Sequence, residues 1–213
     1  MQLDRPLLVV TPTVDGDVLM ALARADASFT GRGLHQVIGR YSAEGVRRAL
    51  ERLVSQGIVN ASVAGPSKLY RLNRQHVAAP HVVALAGIAG DFCARLRDRI
   101  AAWQIPPAYA ALFGSAVTGQ MRPDSDIDVF AVRPETIAMD DHGWVRQLEE
   151  LAHDGTLWTG NDLRILEMSE ADARMGAKGN DPVIADIRDQ GIVLAGPTEY
   201  LAARAAKAPR GAG

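Results

Sequence analysis

The fold of this chain is decided by residues 110–132, which read AALFGSAVTGQMRPDSDIDVFAV. An apolar run ends at Gly114 and Ser115, and after ten more residues Asp126 and Asp128 interrupt a second apolar run. Because successive side chains of a strand alternate between its two faces, the two aspartates point to the same face. Two carboxylates at the edge of a buried strand are costly unless a cation neutralises them. The pattern therefore predicts two strands that present a glycine turn and a pair of acids.

These residue types indicate phosphate chemistry. A divalent cation such as Mg²⁺ suits the paired carboxylates, because it takes oxygen ligands and usually shares them with substrate phosphates. A Gly-Ser turn allows close approach of the backbone, whose N–H groups can hold a phosphate chain. A phosphate grip beside metal-binding carboxylates is typical of phosphoryl or nucleotidyl transfer. The competing interpretation is a surface turn followed by an ordinary strand with capping aspartates.

The segment resembles the DNA polymerase beta-like nucleotidyltransferase superfamily, and residues 122–126 look like those of the small, minimal bacterial members. The resemblance implies that Asp126 and Asp128 bind Mg²⁺ or Mn²⁺ and that a nucleoside triphosphate is the substrate. A third carboxylate of the family matches Asp162, which follows Asn161 in a short strand-like run. Asp162 would then act with the pair in catalysis and metal binding. The alternative for Asp162 is a turn residue at the start of a strand.

Five residues are candidate nucleotide contacts, from the glycine turn, the approach to the acids and a later glycine-rich segment: Gly114, Ser115, Arg122, Ser125 and Lys178. The glycine-rich segment spans residues 176–181 and is expected to be a loop. Its spacing does not match a Walker A loop, because the Lys-Ser/Thr pair is missing.

The first part of the chain has a different pattern. Apolar spacing predicts helices over residues 14–25, 33–38 and 42–57, followed by strands over residues 58–63 and 68–72 around a Gly-Pro turn. Thr30 and Ser42 are expected N-caps of the second and third helices. Three helices and a hairpin resemble the winged helix-turn-helix domains of bacterial transcription regulators.

In that family the third helix enters the major groove of DNA and the hairpin contacts the backbone. The candidate DNA contacts are polar or basic residues of the third helix, its approach and the hairpin: Arg40, Ser42, Arg47, Arg48, Arg52, Lys68 and Arg71. The expected partner is double-stranded operator DNA, bound as a homodimer. A winged helix used only for protein contacts or dimerisation is the main alternative.

Composition agrees with a soluble two-domain protein. Residues 1–80 carry ten basic and six acidic side chains, and residues 81–213 carry thirteen basic and nineteen acidic ones. The first segment therefore has a positive net charge and the second a negative one. A single cysteine and the lack of a leader or a long apolar run favour the cytoplasm and exclude a membrane span. The expected domains are a winged helix over residues 1–78, a nucleotidyltransferase-like domain over 79–201 and a flexible tail over 202–213.

The fold class expected is α/β (α+β), with the winged helix-turn-helix followed by a nucleotidyltransferase-type mixed sheet flanked by helices. The function expected is a DNA-binding, antitoxin-like regulator whose enzyme domain transfers a nucleoside monophosphate to a partner toxin or another acceptor. Family analogy carries this expectation, not the residues. Two alternatives are a transferase for small molecules of the antibiotic type and an inactive regulator that senses a nucleotide.

Overall fold

The structure, a computed structural model, describes residues 1–202. These residues form two compact units that divide between Asp91 and Phe92, inside a helix. Eight α-helices and two sheets lie within this described part of the chain. The division falls later than the boundary after residue 78 that the sequence suggests. Most of the expected tail, residues 203–213, lies outside the described residues.

The first unit consists of three helices and a small sheet. After a 3-10 turn at Pro6–Val9, its elements in chain order are α1 (Val14–Arg24), β1 (Phe29–Thr30), α2 (Gly31–Ile38), α3 (Ala43–Ser55), β2 (Val59–Ala64), β3 (Ser67–Leu72) and the first part of α4 (Ala79–Ala101). The strands are antiparallel in the order β1-β3-β2.

Local sequence explains where these elements begin and end. The hydroxyls of Thr30 and Ser42 accept hydrogen bonds from Gly33 N (3.0 Å) and Gly45 N (3.1 Å), so both expected N-caps are confirmed. Gly39 adopts a φ of 69° after α2, a conformation that ends a helix and favours glycine. Apolar residues of the helices and the hairpin then meet in one core: Val18, Leu22, Leu34, Val46, Leu50, Tyr70 and Leu72.

The second unit is a four-stranded mixed sheet with helices. After the last part of α4, its elements are β4 (Tyr109–Phe113), α5 (Ser115–Thr118), β5 (Ile127–Arg133), α6 (His142–Thr159), β6 (Leu163–Ser169), α7 (Glu170–Gly179), α8 (Pro182–Gln190) and β7 (Ile192–Ala195). The strand order is β6-β5-β4-β7. The pairs β4/β5 and β4/β7 are antiparallel, and β5/β6 is parallel, so the mixed sheet is confirmed.

Parallel pairing of β5 and β6 determines where the acidic residues lie. Parallel neighbours need a crossover connection, and α6 supplies it. A Cβ on Gly155 of α6 would overlap the Leu163 side chain of β6, so glycine at this position lets the helix lie directly on the strand. Both strands therefore start at the same edge of the sheet, directly after Asp126 and Asp162.

One sequence-based prediction is wrong. The sequence predicts a loop over residues 176–181, but residues 176–179 complete α7. Ser169 caps this helix by accepting a hydrogen bond from Asp172 N at 3.1 Å. Gly176 also has a packing role, because a Cβ there would lie 3.0 Å from Ile184 Cγ1 of α8. Close packing of two helices thus offsets the low helix propensity of glycine.

Candidate functional site

The acidic residues lie at one edge of the sheet. Ile127 pairs with Leu163, and Asp128 pairs with Arg164 one residue further along the two strands. The backbone N–H of Ile127 donates to the carbonyl of Asp162 at 2.9 Å, which extends the pairing to the strand starts. Paired residues of parallel strands share a face, so Asp126, Asp128, Asp162 and Arg164 lie on the same face.

Gly114 lies against this acidic edge. Phe113 pairs with Asp128 across β4 and β5, so Gly114 follows at the level of the carboxylates. Gly114 has φ 72° and ψ −147°, and a Cβ there would lie 2.8 Å from Asp128 Oδ2. Only glycine combines this conformation with this approach. Ser115 begins the one-turn helix α5, which the sequence analysis did not predict.

The turn before Asp126 is held by side chains. Arg122 N donates to Ser125 Oγ at 2.8 Å, and Ser125 N donates to the Arg122 carbonyl at 3.1 Å. The side chain of Asn161, which is 4% exposed, donates to the carbonyls of Ser125 and Pro123. The Ser125 hydroxyl is therefore part of the turn, and its role as a nucleotide contact stays a prediction.

Arg164 forms ion pairs with two of the acids. Its guanidinium lies 2.5 Å from Asp126 Oδ2 and 3.0 Å from Asp162 Oδ2. The side chains of Arg164 and Asp162 are more than half exposed, whereas that of Asp126 is 32% exposed. Burial, then the negative charge of Asp126, raises the pKa of Asp128, and Arg164 opposes the shift. Both effects disfavour the ionised form of Asp128, so a cation bound beside this carboxylate would stabilise it.

The donor set fits a shared divalent cation. Within residues 1–202, no three histidine, cysteine, aspartate or glutamate side chains converge to hold a metal ion by themselves. Mg²⁺ does not require such a cage, because it binds one or two carboxylates together with substrate phosphates. Asp126 and Asp128 provide that pair. Arg164 binds Asp162 as well as Asp126, and the roles of all three aspartates as metal ligands stay predictions.

Two other candidate nucleotide-binding residues, Arg122 and Lys178, form no described interaction with the carboxylates. Arg122 is exposed in the turn before Asp126. Lys178 is exposed in the last turn of α7, which begins at the other end of β6 from Asp162. The nucleotide-binding roles of both residues therefore remain predictions from the sequence alone.

The candidate DNA contacts of α3 are exposed but paired with acids of their own unit. Arg47 binds Glu44 and Glu51, and Arg48 binds Glu44. Hydrogen bonds from Arg47 and Arg48 lower the pKa of Glu44 to about 2. Arg52 lies 2.7 Å from Asp15. These acids reduce the positive charge that α3 presents.

The remaining DNA candidates lie on the approach to α3 and on the hairpin. Ser42 uses its hydroxyl as the N-cap of α3, and Arg40 is exposed just before it. Lys68 lies over the ring of Tyr70 with its Nζ 5.7 Å from the centroid. Arg71 binds Asp26 at 2.6 Å. None of these contacts tests DNA binding.

Sequence reasoning missed two residues of the acidic edge. Arg164 follows Asp162 by two residues, so the period of a strand was a signal that it shares the face of Asp162. Asn161 had no such signal, because its partners are backbone carbonyls 36 and 38 residues earlier in the chain.

Comparison with known proteins gives a family for part of the second unit. Residues 93–155 match the family model described as a nucleotidyltransferase domain. The match includes Gly114, Ser115, Asp126 and Asp128 and ends before Asp162. Residues 93–155 thus resemble a nucleotidyltransferase domain, which supports the enzyme class predicted from the sequence. No curated protein matches this sequence.

Among solved structures, a toxin–antitoxin complex with AMP-PNP is 20% identical, covering 52% of this chain and 76% of that chain, with a TM-score of 0.33. A mutant of the MntA–HpeT toxin–antitoxin is 19% identical, covering 54% and 80%, with a TM-score of 0.34. The tri-AMPylated Shewanella oneidensis HEPN toxin with MNT antitoxin is 18% identical, covering 53% and 73%, with a TM-score of 0.30. Because these TM-scores are low, no conclusion about this chain follows from the three likenesses.

No helix in residues 1–202 combines the length and the apolar character that crossing a membrane requires.

Proposed function

We propose that this protein transfers a nucleoside monophosphate from a nucleoside triphosphate to a hydroxyl group, with Mg²⁺ or Mn²⁺ at Asp126 and Asp128. The observation that carries the proposal is the close approach of Gly114 to Asp128, where a Cβ would lie 2.8 Å from Oδ2. This places a glycine turn directly against a partly buried acidic pair, in which burial and the charge of Asp126 raise the pKa of Asp128. A triphosphate needs a close backbone approach and a shared cation at one place.

In the proposed reaction one phosphorus–oxygen bond forms and another breaks. The acceptor oxygen bonds to the α-phosphorus, the bond from that phosphorus to the bridging oxygen breaks, and pyrophosphate leaves. The hydroxyl proton passes to Asp162, the carboxylate proposed as general base. When bound, the divalent cation neutralises the negative charge that builds up on the phosphate oxygens.

The protein groups have distinct roles in this proposal. Asp126 and Asp128 hold the cation, and Gly114 and Ser115 hold the phosphates. Arg122, Ser125 and Lys178 are proposed as further nucleotide contacts. Arg164 keeps the acids together before the substrate arrives, since it binds both Asp126 and Asp162.

We further propose that the first unit is a winged helix-turn-helix that binds operator DNA. The order of helices and strands and the capped helix α3 support this. The proposed contacts are the exposed or capping residues predicted from the sequence, on α3, its approach and the hairpin: Arg40, Ser42, Arg47, Arg48, Arg52, Lys68 and Arg71. Homodimerisation is part of this proposal, since such domains commonly bind two half-sites.

The acceptor proposed for a first test is a partner toxin protein, which would make the chain an antitoxin-like regulator. This choice rests on the family resemblance of the sequence. A small-molecule acceptor and a regulator that only senses the nucleotide are the alternatives.

A label-transfer assay tests the enzyme proposal. The full chain is incubated with Mg²⁺ and each α-labelled nucleoside triphosphate, with and without a lysate of the source cell. Label on a protein is expected with wild type and with Asp124→Asn, an exposed residue of the turn, and not with Asp126→Asn or Asp128→Asn. Label on a small molecule would favour the antibiotic-type transferase. Nucleotide binding without transfer would favour the sensing regulator.

A further inference from the structure

Asn161 joins the turn before Asp126 to the strand that follows Asp162. Its side-chain Nδ2 donates to the carbonyl of Ser125 at 2.8 Å and to that of Pro123 at 3.2 Å. The residue is 4% exposed. The two N–H bonds of the amide are therefore directed at two carbonyls just ahead of Asp126.

Strand pairing does not reach the turn. Strand β5 begins at Ile127, so the pairing of β5 with its neighbours starts only after Asp126. The bonds between Arg122 and Ser125 close the turn on itself and do not attach it to β6. The bonds of Asn161 attach the turn to the residue that precedes Asp162, and the carbonyl of Ser125 that they hold lies one residue before Asp126.

Asn161 is itself well anchored. Its backbone N–H donates to Thr159 Oγ1 at 3.2 Å, and that hydroxyl donates to the Gly155 carbonyl at 2.8 Å. Residues 155–159 belong to the end of α6, which packs on β6. The backbone of Asn161 is thus anchored to the end of α6, and its side-chain amide binds the turn.

We propose that Asn161 is a positioning residue that orients Asp126 for the divalent cation. The inference rests on the proposed metal site at Asp126 and Asp128, and it assigns Asn161 no contact with substrate. Side chains that orient metal ligands contribute to affinity through the ligand, and their loss typically lowers metal affinity by about 10- to 100-fold.

Gln147 provides a matched control. It is a buried amide of the same unit, 8% exposed, and it also holds a backbone segment by two hydrogen bonds. Its Oε1 accepts from Ile105 N at 3.0 Å and its Nε2 donates to the Ile105 carbonyl at 3.1 Å. Replacing Gln147 therefore removes a comparable clamp at residues that are not part of the acidic edge.

The test measures Mn²⁺ binding to the full chain by electron paramagnetic resonance, with thermal unfolding measured on the same samples. We expect Asn161→Ala and Asn161→Asp to weaken Mn²⁺ binding about tenfold or more, because both remove the amide donors. Gln147→Ala is expected to lower the unfolding temperature and to keep the wild-type Mn²⁺ affinity.

Wild-type affinity in folded Asn161→Ala and Asn161→Asp would overturn the inference. An equal loss of affinity in Gln147→Ala would also overturn it, because the effect would then be one of general stability. If the wild-type chain bound no Mn²⁺ either alone or together with a non-hydrolysable nucleoside triphosphate, the proposed metal site would fail first. The wild-type titration therefore separates failure of the proposed function from failure of the role of Asn161.

Discussion

Replacing Gly114 with alanine is expected to damage the site and the fold by two separable effects. The first is conformational: Gly114 has φ 72° and ψ −147°, a region that is essentially restricted to glycine. The second is steric: the new Cβ would lie 2.8 Å from Asp128 Oδ2, closer than non-bonded atoms allow. That oxygen is at the end of a side chain, so the carboxylate can turn away. The steric effect therefore falls on the position of Asp128 more than on stability.

Gly119 gives the control for the conformational effect. It has φ 70° and ψ 23°, and a Cβ there would meet nothing within 4 Å. An alanine in this left-handed region costs about 1–2 kcal/mol of unfolding free energy. For Gly114→Ala we expect a cost towards the upper end of about 1–3 kcal/mol, the range for strained backbone conformations.

Two measurements on both variants separate the effects. Urea denaturation gives the unfolding free energy, and both variants are expected to be destabilised. Titration with a labelled nucleoside triphosphate and Mg²⁺ gives affinity, and only Gly114→Ala is expected to lose binding. Wild-type nucleotide affinity in a folded Gly114→Ala protein would refute the argument that Gly114 forms the site with Asp128. Loss of binding in Gly119→Ala to the same degree would refute it as well.

Three further predictions follow from the charges of the two units. Arg164→Met removes the guanidinium that competes with a cation for Asp126. Because an exposed ion pair contributes little, the Mn²⁺ affinity of the nucleotide-free protein should rise only about threefold in an equilibrium titration. An unchanged affinity would contradict this. The pKa of the Asp128 carboxyl is raised in the folded protein, so its ionisation at neutral pH lowers stability. Asp128→Asn cannot ionise and should therefore be more stable than wild type at neutral pH. That advantage should vanish in urea denaturation below the ordinary pKa of aspartate, and a constant advantage would count against it. The pair Arg47→Ala and Arg48→Ala should weaken binding of DNA from upstream of the gene and lower the salt slope by about one per lost phosphate contact, with label transfer unchanged. Unaltered DNA binding in that variant, measured by fluorescence anisotropy, would show that α3 does not contact DNA through these side chains.

Local sequence signals predicted much of the first unit. Capping residues Thr30 and Ser42 mark the starts of two helices because the cap hydroxyl and the N–H that it binds are three residues apart. The turn between β2 and β3 is similarly local, with Gly65 at φ 58°. In such elements the sequence near a residue determines its conformation, so the prediction needs no knowledge of distant contacts.

Elements that depend on distant contacts were missed. Helix α7 contains Gly176 and Gly179, which lower helix propensity, and its packing against Ile184 of α8 is not visible in its own sequence. The same holds at the site. The spacing of Asp126 and Asp128 is a local signal, whereas the clamp of Asn161 on Ser125 joins residues that only the folded sheet brings together.

The most direct test of the central claim is a crystal of the full chain grown with Mn²⁺ and a non-hydrolysable nucleoside triphosphate. We predict an anomalous Mn²⁺ peak within bonding distance of carboxylate oxygens of both Asp126 and Asp128, with the triphosphate against Gly114 and Ser115. The same crystals of Asp126→Asn should lack the peak. A nucleotide bound elsewhere, or an Mn²⁺ peak away from these two aspartates, would contradict the account.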